Sequence, residues 1–160
     1  PKGFFVALLN DKIVGVSTSH VIEYNPENPP TSWEEITDNG YIRNHNKNGN
    51  ALYVVSLGVS PRASGKGCGS ALMKAQKNLT KELGLDYLVL GARMPFYHKY
   101  PTLSVEEYTS KKNEDGESFD PEIRFYERCG LHVVGVVKDY MDRDSESLDY
   151  GVVMEWKANG

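Results

Sequence analysis

Cysteine is scarce in this 160-residue chain: there are two, Cys68 and Cys129, and neither has a Cys or His neighbour at metal-ligand spacing. A disulfide framework is therefore excluded as the source of stability. No metal site is expected, and a reducing compartment, the cytoplasm, is the expected location. Long apolar runs are missing too, so nothing reads as a membrane span and no membrane partner is expected. Positive charge is not in excess. The 18 Lys and Arg stand against 22 Asp and Glu for a net charge of −4, which offers no basic face to nucleic acid and is compatible with a cationic amine. Internal repeats and low-complexity tracts are absent. What remains is a globular composition, 39% hydrophobic and 25% charged, of a length that suits one domain with a single core. The chain opens at Pro1 rather than Met, and residues 1–160 are expected to be one domain excised from a longer polypeptide.

The most informative stretch is Ser60-Pro61-Arg62-Ala63-Ser64-Gly65-Lys66-Gly67-Cys68-Gly69-Ser70. An apolar run, Ala51 to Val59, leads into it, and a helical pattern follows. A strand, a glycine-spaced loop and a helix start make an anion cradle, because glycine lets the backbone approach a ligand and the helix end supplies free N–H donors. A phosphate or pyrophosphate is the expected guest. A P-loop is excluded, since Gly65-Lys66 is followed by Gly67 and no hydroxyl is placed to hold magnesium. The dinucleotide fingerprint fails as well, because the third glycine position falls on Ser70 or Leu72. An ordinary glycine-rich turn capping a helix is the bland alternative. Asn78-Leu79-Thr80 matches a glycosylation acceptor but falls inside the predicted helix and carries no meaning there.

Phe4–Leu9 and Ile13–Ile22 read as a hairpin about Asn10-Asp11-Lys12. Residues 23–50 read as a long loop with a short ordered segment at Trp33-Glu34-Glu35-Ile36 and Tyr41. Leu52–Val59 is a third strand. The helix after the loop is predicted over Gly67–Leu83, with Leu72, Ala75, Leu79 and Leu83 inward and Lys74, Lys77, Lys81 and Glu82 outward, and with Gly84 as its C-cap. Asp86–Ala92 reads as a buried strand. The long connection 93–119, rich in aromatics at Phe96, Tyr97 and Tyr100, is expected to be functional. Ser104-Val105-Glu106-Glu107 is a capping box, and Asp120-Pro121 opens a helix over Glu122–Cys129 that Gly130 closes. Leu131–Val137 and Tyr150–Trp156 are two further strands.

Arg62-Ala63-Ser64-Gly65-Lys66-Gly67 fits Arg/Gln-x-x-Gly-x-Gly/Ala, and it resembles the coenzyme A pyrophosphate loop of the GCN5-related N-acetyltransferases (GNAT). Leu57-Gly58-Val59-Ser60-Pro61 looks like the end of that family's fourth strand. Arg124-Phe125-Tyr126-Glu127-Arg128-Cys129-Gly130-Leu131 resembles a second signature, in which the Tyr hydroxyl is the general acid for the departing thiolate. A half-buried helix aromatic packing on the sheet is the other reading of Tyr126. Trp33-Glu34-Glu35-Ile36-Thr37, Gly91-Ala92-Arg93-Met94-Pro95-Phe96-Tyr97-His98 and the tail from Asp139 to Trp156 look like a bacterial subgroup in which the acetyltransferase domain precedes a carbon–nitrogen hydrolase.

The resemblance implies an α/β (α+β) mixed twisted sheet flanked by helices, with the usual N-terminal strand and helices missing and with the fourth and fifth strands splayed apart. It implies acetyl-CoA as co-substrate, held by Leu57, Gly58 and Val59 along the pantetheine and by Arg62, Ala63, Ser64, Gly65, Lys66, Gly67, Cys68, Gly69 and Ser70 at the pyrophosphate. Tyr126 is the implied catalytic acid, and Cys68 is a small residue at a crowded turn rather than a nucleophile. The expected reaction is direct attack of a small-molecule or peptide amine on acetyl-CoA in a ternary complex. Two departures stand out: Phe119 occupies the position of an Asn common in the family, and the strand around Ser56 carries no carboxylate to serve as base. His20, Glu35, Tyr97 and His98 are the substitute candidates, and Arg93 is a candidate to orient an acceptor carboxylate or to pair on the surface. A non-catalytic CoA-binding sensor or regulatory module of a hydrolase is the competing expectation. A phosphate-ligand binder unrelated to CoA is a third. A homodimer is compatible with the sequence.

Overall fold

The computed structural model describes residues 2–159; Pro1, on which the expectation of a longer polypeptide rests, lies outside the described residues. A six-stranded sheet runs in the order β1-β2-β3-β4-β6-β5. Its strands are β1 (Phe4–Leu9), β2 (Lys12–Ile22), β3 (Ala51–Val59), β4 (Tyr87–Ala92), β5 (His132–Val137) and β6 (Gly151–Lys157). Only β3 and β4 pair in parallel; every other neighbouring pair is antiparallel. Four α-helices accompany them: α1 (Trp33–Thr37), α2 (Cys68–Glu82), α3 (Val105–Ser110) and α4 (Pro121–Arg128). No helix among the described residues is long and apolar enough to cross a membrane.

Local chemistry sets most element ends. The β1–β2 turn is made by Asn10 and Asp11, both in the left-handed region at φ 52° and 65°, as the two-residue hairpin turn that matches strand twist requires. Helix α3 starts with the complete capping box, Ser104 accepting from the Glu107 amide and Glu107 accepting from the Ser104 amide. Helix α4 starts at Asp120, whose Oδ1 accepts from the amides of Glu122 and Ile123, with Pro121 in the first turn. Gly84, at φ 68°, ends α2 as expected.

The central strands are covered on both faces, and their side chains divide by alternation. Leu52, Val54, Leu88, Leu90, Val152 and Met154 point to one core with Met73, Leu79, Tyr108 and Ile123 of the helices. Ala51, Tyr53, Val89 and Val153 point to the other, where Tyr24, Tyr140 and the half-buried Trp33 and Ile36 cover them. Three details of α2 differ from the apolar-spacing reading. Leu83 is 38% exposed, whereas Gln76 and Thr80 are fully buried. Gln76 accepts from the Ser19 hydroxyl at 2.7 Å and donates to Ser17 Oγ and the Gly3 carbonyl, so a satisfied amide tolerates the core position. Lys77 is half-buried rather than outward, with its ammonium over the Trp156 ring and bonded to the Cys129 carbonyl at 2.8 Å, which ties α2 to the end of α4. The aromatics of connection 93–119 also turn inward: Tyr97, Tyr100 and Tyr108 pack on one another in the helix-side core.

On the opposite face the Tyr140 ring lies across Gly91 of β4 and Gly151 of β6, and its hydroxyl bonds that of buried Tyr53. A Cβ at Gly91 would collide with that ring. Gly91→Ala is therefore expected to cost about 1–3 kcal/mol by overpacking. A lowered urea midpoint with an unchanged slope would show it.

Candidate active site

Strand β3 keeps β2 along one edge as far as Val59, and β4 keeps β6 along its outer edge as far as Ala92. Their inner edges pair only from Ala51/Tyr87 to Val54/Leu90. Past that point the two strands part, and backbone groups of residues 55–59, which are half-buried or exposed, are left without a strand partner on that side and open to water, a side chain or a ligand. Trp33 serves one of them, its indole N–H donating to the Val55 carbonyl at 3.1 Å. A bulge in β3 lies at the same level, where Thr18 pairs Ser56 but Ser19 pairs Val54; bulges commonly re-aim a strand beside a site.

Two chambers flank the parting. The first, of about 490 Å³, is walled by Leu57 and Val59, the loop residues Ala63 to Gly65 and Gly67 to Ser70, and Glu122, Phe125 and Tyr126. Gly65 and Gly67 adopt φ 77° and 78°, and nothing stands within 4 Å of where a Cβ would be at either one. Gly67 is the N-cap of α2 and supplies no capping side chain. As a result the amides of Gly65, Gly67, Cys68, Gly69 and Ser70 donate to no protein acceptor among the described residues. Five free donors at a helix N-terminus fit a pyrophosphate. Gly69 has a separate role, since the Phe125 ring of α4 lies 3.1 Å from its missing Cβ. Arg62 and Lys66 are exposed and, like Gly58 on β3, do not line the chamber, whereas Cys68 is buried at the helix start and does.

The second chamber, of about 300 Å³, is walled by Trp33, Val54 to Leu57, Leu90, Gly91, Arg93 and Met141. Leu57, Glu122 and Tyr126 line both chambers and form their junction. Tyr126 is 8% exposed; its hydroxyl bonds no protein group among the described residues and is not among the atoms sealed from solvent without a partner. Burial, then the charges of Glu122 and Cys129, push its pKa well above the ordinary tyrosine value, so it stays a proton donor across the physiological range. Glu122 is half-buried one helical turn earlier, and its carboxylate has no hydrogen-bond or ion-pair partner among the described residues. Burial and then Asp120 raise its pKa, with Arg93 working in the opposite direction.

The other sequence candidates are scattered. Arg93 reaches the second chamber, but its guanidinium forks onto buried Asp144 at 3.0 and 2.6 Å and touches Glu146 at 3.4 Å. Glu35 is exposed on the outer side of α1. Tyr97 is buried with its hydroxyl donating to the Leu103 carbonyl, and exposed His98 contacts the Glu146 carbonyl. His20 is 2% exposed with neither ring nitrogen bonded, and it lines a different cavity of about 410 Å³ with Lys2, His45 and Leu79. Burial, then His45, lowers its pKa to about 4, which leaves it neutral at pH 7. The position of Phe119 is filled by packing against Tyr100 and Tyr108, and adjacent Asp120 is committed to capping α4 and to the Tyr108 hydroxyl. Glu122 was not among the sequence candidates. The available signal was its place one turn before Tyr126 in a short helix.

The model of the acetyltransferase (GNAT) family matches residues 1–100. The chain belongs to that family. As a GNAT protein it falls among the acyl-CoA-dependent N-acyltransferases, and its mixed six-stranded sheet flanked by helices is the GNAT fold. It is 41% identical to the uncharacterized N-acetyltransferase YkwB of Bacillus subtilis (strain 168), over 98% of this chain and 69% of that protein. It is 31% identical to the probable hydrolase YhcX of the same organism over 98% of this chain, and it spans 30% of that protein's length. Among solved structures, the loading GNATL domain of CurA from Lyngbya majuscula superposes with a TM-score of 0.87 at 23% identity, over 99% of this chain and 78% of that one. The GphF GNAT-like decarboxylase, solved in complex with isobutyryl-CoA, superposes with a TM-score of 0.77 at 22% identity, over 99% of this chain and 79% of that one.

The Arg93–Asp144 fork has a measurable signature. Burial alone would raise Asp144, but the bonds from Arg93 and Ser147 together hold its pKa below the ordinary aspartate value. A depressed carboxylate stabilises the fold above its unfolded pKa, and that contribution is lost as pH falls through the folded value. Arg93→Met is expected to cost roughly 1–2 kcal/mol at pH 7, at the low end for a charged hydrogen bond because Arg93 is partly solvated. The difference from wild type shrinks below about pH 4, where the unfolded aspartate is protonated. Thermal unfolding followed by circular dichroism between pH 7 and pH 3 checks it.

Proposed function

We propose that this chain transfers an acetyl group from acetyl-CoA to a primary amine of a small molecule or peptide, by direct attack in a ternary complex. The observation that carries this reading is the five-amide cradle opening onto the parting of β3 and β4 beside the free hydroxyl of Tyr126. The cradle suits the pyrophosphate, and the unpaired edge of Leu57, Gly58 and Val59 suits the pantetheine arm, whose amides bond an open strand as another strand would. Backbone donors near the β3 bulge are available to a developing oxyanion. Tyr126, held protonated, is the proton donor to the thiolate that leaves. The acceptor enters the chamber beneath Trp33 and Met141, whose mouth carries Glu34, Asp142 and Asp144 along with Arg93 and Arg143.

A second reading is favoured by one observation, the 31% likeness to a hydrolase of which this chain spans 30%. On that reading the domain binds acetyl-CoA or CoA and serves a fused carbon–nitrogen hydrolase without transferring the acetyl group.

Calorimetric titration with acetyl-CoA, followed by release of free thiol in the presence of a panel of amines, separates the two. The first reading expects binding and amine-dependent thiol release; the second expects binding alone. Gly67→Asp places a carboxylate where the pyrophosphate would sit and is expected to abolish binding; the side chain at φ 78° costs roughly 1–2 kcal/mol, too little to unfold a typical domain. Tyr126→Phe is expected to keep acetyl-CoA affinity and to lower kcat by roughly 10²-fold. Malonyl-CoA belongs beside acetyl-CoA in the assay because GphF is described as a decarboxylase. Amine-independent formation of acetyl-CoA from it would overturn N-acetylation in favour of decarboxylation.

A further inference from the structure

An alkyl amine arrives at neutral pH as an ammonium ion, with a pKa near 10 and no lone pair with which to attack. Strand β3 carries no carboxylate between Ala51 and Val59 to remove that proton. The fully buried acids are committed elsewhere. Asp120 caps α4 and accepts from Tyr108, Asp144 holds Arg93, and Glu155 accepts from Tyr24 at 2.6 Å with His132 beside it. Glu34, at the mouth, accepts from the Asp142 amide and the Ser32 hydroxyl. Of the acids among the described residues, Glu122 is the one that lines both chambers, and both its carboxylate oxygens are free.

We infer that Glu122 is the general base of the reaction, taking a proton from the acceptor ammonium while Tyr126, one turn further along the same helix face, protonates the departing thiolate. The inference rests on the acetyl-transfer reading and adds a catalytic residue to it. One N–H proton of the ammonium passes to the Glu122 carboxylate. The freed lone pair forms the C–N bond to the acetyl carbonyl carbon. As the tetrahedral intermediate collapses, the C–S bond breaks and its electron pair leaves on sulfur, which takes the Tyr126 proton. The second N–H proton is lost at that step and restores the Tyr126 phenol. Glu122 then gives its proton to solvent, so the sum is ammonium plus thioester to amide plus thiol plus one proton.

The surroundings suit the task. The titratable groups facing Glu122 are Asp120 and Tyr126 of its own helix, Arg93 from the end of β4 and Cys68 from the start of α2 across the first chamber. The β3 wall and α1 present Val54, Val55, Ser56, Leu57 and Trp33, none of them charged. Burial and Asp120 lift its proton affinity above that of a solvated glutamate, which brings a carboxylate closer to the operating pH of a base.

The experiment compares wild type with Glu122→Gln on two acceptors, an alkyl amine that is charged at pH 7 and methoxyamine, which is neutral there. Acetyl-CoA affinity by calorimetry is expected to change by less than about twofold, because glutamine keeps the wall. With the alkyl amine, kcat is expected to fall by roughly 10²-fold and the acidic limb of the pH–rate profile to disappear. With methoxyamine the defect is expected to shrink to within about threefold, since no proton need be removed first. Equal losses on both acceptors would show a positioning role and overturn the inference, as would an undiminished rate on the alkyl amine. The alkyl amine is one that the panel shows to be acetylated; failure of the wild type on the whole panel would sink the acetyl-transfer reading itself, and the assignment of Glu122 with it.

Discussion

The parting of β3 from β4 is the constraint on which the rest of this molecule depends. The two strands pair in parallel for four residue pairs, from Ala51/Tyr87 to Val54/Leu90, and then diverge while each keeps its outer neighbour. Losing inner-edge hydrogen bonds in the middle of a sheet is costly, so the divergence must be imposed by groups on either side. On one face Trp33 reaches down to bond the Val55 carbonyl. On the other, Tyr126 and Glu122 of α4 stand at the split, with Phe125 seated over Gly69 at the start of α2. The gap is thus a built feature of the fold, with a helix N-terminus directed at one end of it.

Unsatisfied polar groups are distributed in a telling way. Deep in the protein they are paired: Gln76 with Ser17, Ser19 and Gly3, Glu155 with Tyr24, Asp120 with Tyr108 and the α4 amides, and Asp144 with Arg93. Around the split they are not. Five loop amides, the Tyr126 hydroxyl and the Glu122 carboxylate all lack protein partners among the described residues. These groups line the chambers and are open to solvent, so they are available to a ligand that displaces water. His20 is the exception: it lies in a separate cavity, neutral at pH 7, with both nitrogens unpaired.

Much of the fold was legible because its signals are local. The turn at Asn10-Asp11, the Ser104–Glu107 capping box, the Asp120-Pro121 helix start and Gly84 at the end of α2 each act within a few residues and lie where the spacing predicted, except that Lys12 opens β2 instead of belonging to the turn. Periodicity did less well where tertiary partners override it. Gln76 and Thr80 took buried places and Leu83 an exposed one, because an amide with both N–H groups and its oxygen bonded is tolerated inside. In the aromatic connection 93–119, Tyr97, Tyr100 and Tyr108 build core, while Arg93 lines the second chamber.

By itself the sequence determined the element order, the glycine loop between β3 and α2, and the helix that carries Tyr126, since turns, caps and apolar alternation are written in neighbouring residues. Tertiary structure alone decided which side chains meet at the split. It placed Glu122 at the junction, bound Arg93 to Asp144, and sent His20, Glu35, Tyr97 and His98 elsewhere. The physical reason is that a carboxylate's availability depends on what other elements bring within reach of it. Asp120, two residues before Glu122, is consumed by a helix cap and a tyrosine, while Glu122 has no such partner among the described residues.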